Sequence, residues 1–131
     1  MITAKNIASF RACKRLIDAG IVLKTNVRWR VNHKDNNYPP SCLAEEGECH
    51  SEASLPAPSL GELWTLIPPK LVINRDLYYL EIEKHSNGQI TVFYRSDKKA
   101  PIWTRNANLA DALVNLIVYL KIMRIDRLSG I

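Results

Sequence analysis

The stretch that most constrains the fold is residues 55–69, where prolines at both ends enclose a short helix. A helix cannot begin before the first pair of prolines has passed, because proline lacks a backbone N–H and restricts the residue before it. Ser59 then stands at the N-cap position, and Glu62 follows at the spacing of a capping box. The second pair, at 68 and 69, prevents any continuation. The sequence therefore fixes both ends of this helix.

A helix this short is not stable alone in water, so it must dock against a larger part of the protein. Leu60, Leu63, Trp64 and Ile67 recur at helical spacing. We expect the face formed by Leu63 and Trp64 to be buried. Trp64 is interpreted as a core residue rather than a ligand-stacking one, because large apolar side chains are mostly buried.

Two further helices are predicted from apolar periodicity. The first runs from about Ala4 to Ala19 and ends at Gly20, with Cys13 on its inner face as a buried, unreactive thiol. Its inner face comprises Ile7, Phe10, Cys13, Leu16 and Ile17.

The last helix begins at Asn106 or Asn108 and continues to about Arg127. It carries two apolar stripes, and we interpret the second one as an interface in a homodimer or higher oligomer. The first stripe comprises Leu109, Leu113, Leu116, Leu120 and Met123, and the second comprises Val114, Val118, Ile122 and Ile125.

Strands are predicted where apolar and polar residues alternate, over 27–31, 77–84 and 89–95, with a possible short strand at 102–104. Asn87-Gly88 predicts a hairpin. A two-residue turn would pair Ile82 with Phe93, and a bulged register is the alternative. The predicted class is α+β: one domain over 1–131, with a small, mostly antiparallel sheet and helices packed on one face.

Residues 33–58 lack any period and are predicted to form a long irregular loop. The loop contains four potential zinc ligands, His33, Cys42, Cys49 and His50. Their C-x6-C spacing does not match that of the common zinc knuckles, so we predict neither a metal site nor a cofactor.

Charge is unevenly distributed along the chain, whose formal net charge is +5. Residues 1–34 carry eight Lys or Arg against one acid, whereas residues 35–69 carry six acids and no Lys or Arg. A basic segment can meet an anionic ligand, or the acidic segment can fold back over it. With three cysteines, no signal-peptide pattern and no run long enough to span a membrane, we expect a protein of the cytoplasm.

The candidate ligand-binding residues are arginines and tryptophans, because guanidinium groups bind phosphate bidentately and indole rings stack on bases. Arg28 and Arg30 point to one side of a predicted strand, which makes them the strongest anion-binding pair. The full set of candidates is Arg28, Trp29, Arg30, Arg95, Trp103 and Arg105.

Three stretches resemble small uncharacterised proteins of phages and prophages: the first helix with its Ala-Gly-Ile-Val-Leu-Lys continuation, the Pro-Ala-Pro-Ser-Leu-Gly-Glu-Leu-Trp box at 56–64, and the closing Asp-Ala-Leu-Val helix from Asp111. The resemblance covers most of the chain outside residues 33–53, and none of its motifs is catalytic. It implies an accessory protein of a mobile element, acting in the cytoplasm of a bacterial host.

The chain shows no Ser-His-Asp, H-E-x-x-H, P-loop or G-x-G-x-x-G pattern, so we predict no enzymatic activity. We favour the binding and sequestration of a small anionic ligand, such as a cyclic nucleotide used as an immune signal. The alternative is a protein–protein interaction that inhibits a host protein through the acidic loop. Weak DNA binding is a third hypothesis, supported only by the basic first third.

Overall fold

The computed structural model describes residues 6–31, 41–45, 54–97 and 99–123, with the backbone alone described at 30, 31 and 41–45. This part of the chain is α+β, as predicted. Its elements in chain order are α1 (Phe10–Asp18), β1 (Val27–Val31), β2 (Ser41–Glu45), β3 (Ser54–Pro56), α2 (Leu60–Trp64), β4 (Lys70–Ile73), β5 (Asp76–Lys84), β6 (Ile90–Arg95), β7 (Ile102–Asn106) and α3 (Leu109–Ile122).

The strands form two antiparallel sheets instead of one. A three-stranded sheet has the order β2-β1-β3, and a four-stranded sheet has the order β4-β5-β6-β7. Both outer strands of the first sheet, β2 and β3, lie in the segment 33–58 that the sequence predicted to be irregular. The prediction failed there because short strands of mixed composition lack an alternating pattern and are stabilised by pairing with β1.

The hairpin between β5 and β6 forms in the bulged register. Ile82 pairs with Val92, one residue away from the Phe93 partner that a two-residue turn would give. Gly88 has φ +88° and its N–H donates to the His85 carbonyl at 3.0 Å, which makes a three-residue loop. The alternative register is therefore confirmed, because the glycine occupies the single left-handed position of such a loop.

Helix α3 forms the centre of the core. Ala112, Leu113, Val114 and Leu116 are fully buried, because α3 packs on the inner face of β6 and β7 and also contacts α1 and α2. Asn108 caps the helix by accepting a hydrogen bond from the Asp111 N–H at 3.3 Å. The sequence predicted an N-cap at Asn106 or Asn108, and the structure shows that it is Asn108.

Helix α1 begins at Phe10, not near Ala4 as predicted. The Ser9 hydroxyl caps it by accepting from the Ala12 N–H at 3.2 Å, and the Ser9 N–H donates to Asp111 Oδ1 in the first turn of α3 at 2.7 Å. Ile7 instead forms an isolated β-bridge with Ser59. The end of the helix is as predicted, with Gly20 at φ +81°.

The capping box of α2 is present as predicted. Ser59 Oγ accepts from the Glu62 N–H at 3.2 Å, and Glu62 Oε1 accepts from the Ser59 N–H at 2.9 Å. Leu63 is fully buried, but Trp64 is 47% exposed. The interpretation of Trp64 as a core residue is wrong, because α2 is only five residues long and presents only a narrow face to α3.

The second stripe of α3 is divided between core and surface. Val114 is fully buried within the protomer, whereas Ile122 is 67% exposed; Ile125 lies outside the described residues. The predicted oligomer interface therefore stays a prediction, and it would involve only the C-terminal end of the stripe. Within the described part of the chain, no helix is long and apolar enough to cross a bilayer.

We predict that Leu63→Ala and Trp64→Ala have very different effects on stability. Leu63→Ala should lower the free energy of unfolding by about 2–5 kcal/mol, because it opens a cavity in a packed core, while Trp64→Ala should change it by less than about 1 kcal/mol. Urea denaturation of the two variants measures both values. Equal losses would contradict the placement of α2.

Candidate functional site

The four-stranded sheet has an inner face that packs on α3 and an outer face that the described residues leave exposed. Val92 and Tyr94 are buried on the inner side, so their neighbours on β6, Thr91, Phe93 and Arg95, point outward. The antiparallel register places further outward side chains beside them on β5 and β7. This outer face is the candidate site.

Three aromatic side chains lie on this face, on three neighbouring strands. Trp103 on β7 is directly opposite Phe93 on β6. Tyr79 on β5 is opposite Arg95, which is two residues from Phe93, so Tyr79 and Phe93 are diagonal neighbours. Trp103 is 57% exposed and Tyr79 is 49% exposed. The rings therefore form a diagonal row across the sheet whose two ends are open to solvent.

Arg105 is held in place beside the Trp103 end of the row. Its guanidinium carbon lies 5.6 Å from the centre of the Trp103 ring, and its Nε donates to Thr91 Oγ1 at 3.0 Å. Thr91 Oγ1 in turn lies 2.7 Å from His85 Nε2. The buried Thr91 hydroxyl thus orients the Arg105 guanidinium. The two terminal nitrogens of Arg105 make no hydrogen bond within the described residues.

Two further cations lie beside the other rings. Arg95 lies 3.6 Å from Glu81 Oε2, and Lys70 Nζ lies 5.7 Å from the centre of the Tyr79 ring. An exposed ion pair of this kind contributes about 0–1 kcal/mol, so Glu81 does not prevent Arg95 from binding another anion. We name this outer face of the four-stranded sheet the aromatic–basic face, after its residues Lys70, Tyr79, Phe93, Arg95, Trp103 and Arg105.

An open cleft of about 990 Å³ adjoins the Tyr79 end of this face. Tyr79, Glu81 and Arg95 belong to both the face and the cleft, and Lys99 also lines the cleft. Asp76 and Asp97 also line it. The cleft continues the face toward the loop between β6 and β7, and its charge is mixed.

The structure divides the predicted ligand-binding residues between the two sheets. Arg95, Trp103 and Arg105 share the aromatic–basic face, whereas Arg28 and Trp29 lie on β1 in the other sheet. The side chain of Arg30 lies outside what the structure describes. The candidates whose side chains are described therefore lie on two different sheets.

Arg28 and Trp29 are engaged in holding the fold. Arg28 Nε donates to Ser54 Oγ at 2.8 Å, which ties β1 to β3. Trp29 Nε1 donates to the Ala8 carbonyl at 2.8 Å, and its ring meets Phe10 edge-on with centroids 6.3 Å apart. Ligand binding by these two side chains would require these contacts to be broken.

Sequence reasoning missed Tyr79, Phe93, Lys70 and Thr91 as members of the site. The alternation of β6 showed that Phe93 and Thr91 share a face with Arg95. The sequence did not show which face α3 covers, and it left two β5–β6 registers open, so it did not show that Tyr79 lies opposite Arg95. The β6–β7 register, which the sequence did not predict, sets Trp103 opposite Phe93 and Arg105 opposite Thr91.

No group of three or more potential metal ligands occurs among the residues that the structure describes. Cys49, His50 and His33 lie outside those residues, as does the side chain of Cys42. Cys13 is buried, and its thiol lies 3.5 Å from the Ala8 carbonyl oxygen. The predicted burial of this thiol is confirmed, and that burial, and secondly the nearby Asp111 carboxylate, raises the pKa of Cys13 from 9.0 to about 12.

With this geometry established, comparison of the sequence and the fold with known proteins gave no matching family model, curated protein or solved structure. The resemblance to phage proteins therefore stays a prediction.

We predict that the free energy of unfolding falls as the pH rises above 9. Cys13 keeps its proton in the fold up to about pH 12, while the unfolded chain releases it from about pH 9, so deprotonation favours unfolding. Between pH 9 and 10 this thiol should account for a loss of about 1 kcal/mol. Urea denaturation at both pH values should show a smaller loss in Cys13→Ala than in the wild type. An identical loss in the variant would contradict the assignment.

Proposed function

We propose that this protein binds a ligand that combines a nucleobase with phosphate, and that it does so through the aromatic–basic face. The observation that supports this most is the arrangement at Trp103 and Arg105. An exposed indole provides a stacking surface for a planar base, and an oriented guanidinium beside it provides donors for phosphate. Sequestration of a nucleotide signal is the form of this function that the sequence analysis favoured.

The energetics favour a planar ligand over a simple anion. The face carries three cations, Lys70, Arg95 and Arg105, but also two acids, Glu81 and Glu83, so its net charge is small. Charge alone would attract an anion only weakly at physiological salt. Stacking on an aromatic side chain contributes about 1–3 kcal/mol per base. A ligand with a base therefore gains more from this face than phosphate alone does.

Inhibition of a host protein through the acidic loop is the alternative that the sequence suggested. Most of the loop concerned, residues 36–53, lies outside the described residues. The exposed apolar side chains of the aromatic–basic face, Trp103 and Tyr79 at its ends, could equally meet a protein surface. Contact with a protein surface would not require Arg105 to be oriented. Substitution of Arg105 therefore distinguishes nucleotide binding from binding to a host protein.

Isothermal titration calorimetry at low salt with AMP, UMP and 3′,5′-cyclic AMP tests the proposed function. Trp103→Ala should weaken binding about tenfold or more, because it removes the stacking surface. Arg105→Gln should weaken it by a similar factor, because it removes charge-assisted hydrogen bonds to phosphate.

The chain offers matched control variants for both substitutions. Trp64→Ala removes a tryptophan that is also exposed but lies on α2, and Arg11→Gln removes an exposed arginine of α1. Both should leave the affinity unchanged. The proposal is wrong if none of the three probes binds at millimolar concentration, or if the controls lose as much affinity as the variants of the face.

A further inference from the structure

We infer that the ligand of the aromatic–basic face is a single-stranded nucleic acid that crosses the sheet, with successive bases on Trp103, Phe93 and Tyr79. This inference rests on the proposed function and specifies its ligand. It is carried by the diagonal row of three rings on neighbouring strands and by the cations along it.

The spacing of the rings fits a polymer better than one nucleotide. Neighbouring strands lie about 4.8 Å apart and residues rise about 3.3 Å along a strand, so Trp103 and Tyr79 lie about 12 Å apart across the sheet. One base cannot cover that distance. Consecutive bases of an extended strand can each meet one ring, which gives a site of about three nucleotides.

The shape of the face supports the same conclusion. Sites for single small molecules are concave and bury most of the ligand surface. Among the residues that the structure describes, the outer face of β4–β7 is an open sheet surface, and the cleft that adjoins it at Tyr79 and Arg95 is wide, with a volume of about 990 Å³. The cleft extends the row beyond Tyr79 and provides a path for a strand that continues past the third base.

The cations follow the row of rings. Arg105 lies over Trp103, Arg95 is the next outward residue after Phe93 on β6, and Lys70 lies over Tyr79. One cation thus accompanies each ring. In a strand whose bases stack on successive rings, each phosphate between two bases can therefore meet a cation. Because Glu81 and Glu83 share the face, stacking rather than charge should supply most of the affinity.

A duplex does not fit this surface in the same way. Its bases are paired and stacked inside the helix, so aromatic side chains on an open sheet cannot reach their faces. Single strands expose both faces of every base, and stacking on aromatic side chains tolerates any sequence. We therefore expect discrimination by strandedness and length, with little discrimination by sequence.

Fluorescence anisotropy with labelled oligonucleotides tests this inference. The probes are the octamers dT8 and U8, their trimers, the mononucleotides dTMP and UMP as competitors, and a DNA hairpin duplex. The octamers should bind about a hundredfold more tightly than the mononucleotides, since two further bases stack, and trimers should approach the octamers. The duplex should bind at least about tenfold more weakly than dT8.

Two variants and a salt series sharpen the result. Tyr79→Ala should weaken the octamers about tenfold, whereas Trp64→Ala, which changes a tryptophan of α2 outside the face, should leave their affinity unchanged. The logarithm of affinity should fall with the logarithm of salt concentration with a slope of about −2, as expected for three phosphate contacts. Comparison of dT8 with U8 shows whether the natural strand is DNA or RNA.

The outcomes separate this inference from the proposed function. Mononucleotide binding that does not strengthen with length, or a duplex that binds as tightly as dT8, overturns the inference and leaves nucleotide binding intact. Absence of binding by octamers and mononucleotides alike overturns both. Unchanged octamer affinity in Tyr79→Ala also overturns the inference, because the row of rings would then not be used.

Discussion

The fold depends on the burial of α3. This helix packs against the inner face of β6 and β7 and at the same time against α1 and α2. Its residues Ala112, Leu113, Val114 and Leu116 are fully removed from solvent, and Asp111 in its first turn fixes the start of α1 through the Ser9 N–H. Because the burial of apolar surface is the dominant favourable term in folding, the four elements that contact this helix take their positions from it.

The candidate site follows from the same packing. A helix can cover only one face of a sheet, so the side chains that alternate with the buried Val92 and Tyr94 point away from it. Open sheet faces of antiparallel proteins commonly carry polar side chains. Here the outward positions hold Trp103, Phe93 and Tyr79 together with cations. An exposed row of aromatic side chains is a feature that folding does not require, which is why it indicates binding.

Several local features could be read from the sequence because they depend on neighbouring residues. The capping box of Ser59 and Glu62, the cap at Asn108 and the left-handed Gly20 and Gly88 are all set within a few residues of the chain. Features that depend on distant partners were misjudged. Trp64 is exposed because α3 meets only the Leu63 side of α2, and β2 and β3 exist because β1 pairs with them.

The sequence by itself determined the α+β class, the caps of α2 and α3, the turn residues and the alternation of β1, β5 and β6. It also contained every residue of the aromatic–basic face, including the predicted Arg95, Trp103 and Arg105. Only the tertiary structure decided which of these residues lie together, because a shift of one residue in strand register moves each side chain to a different partner. It likewise engaged Arg28 and Trp29 in hydrogen bonds within the fold, since the partners of those bonds lie far away in the chain.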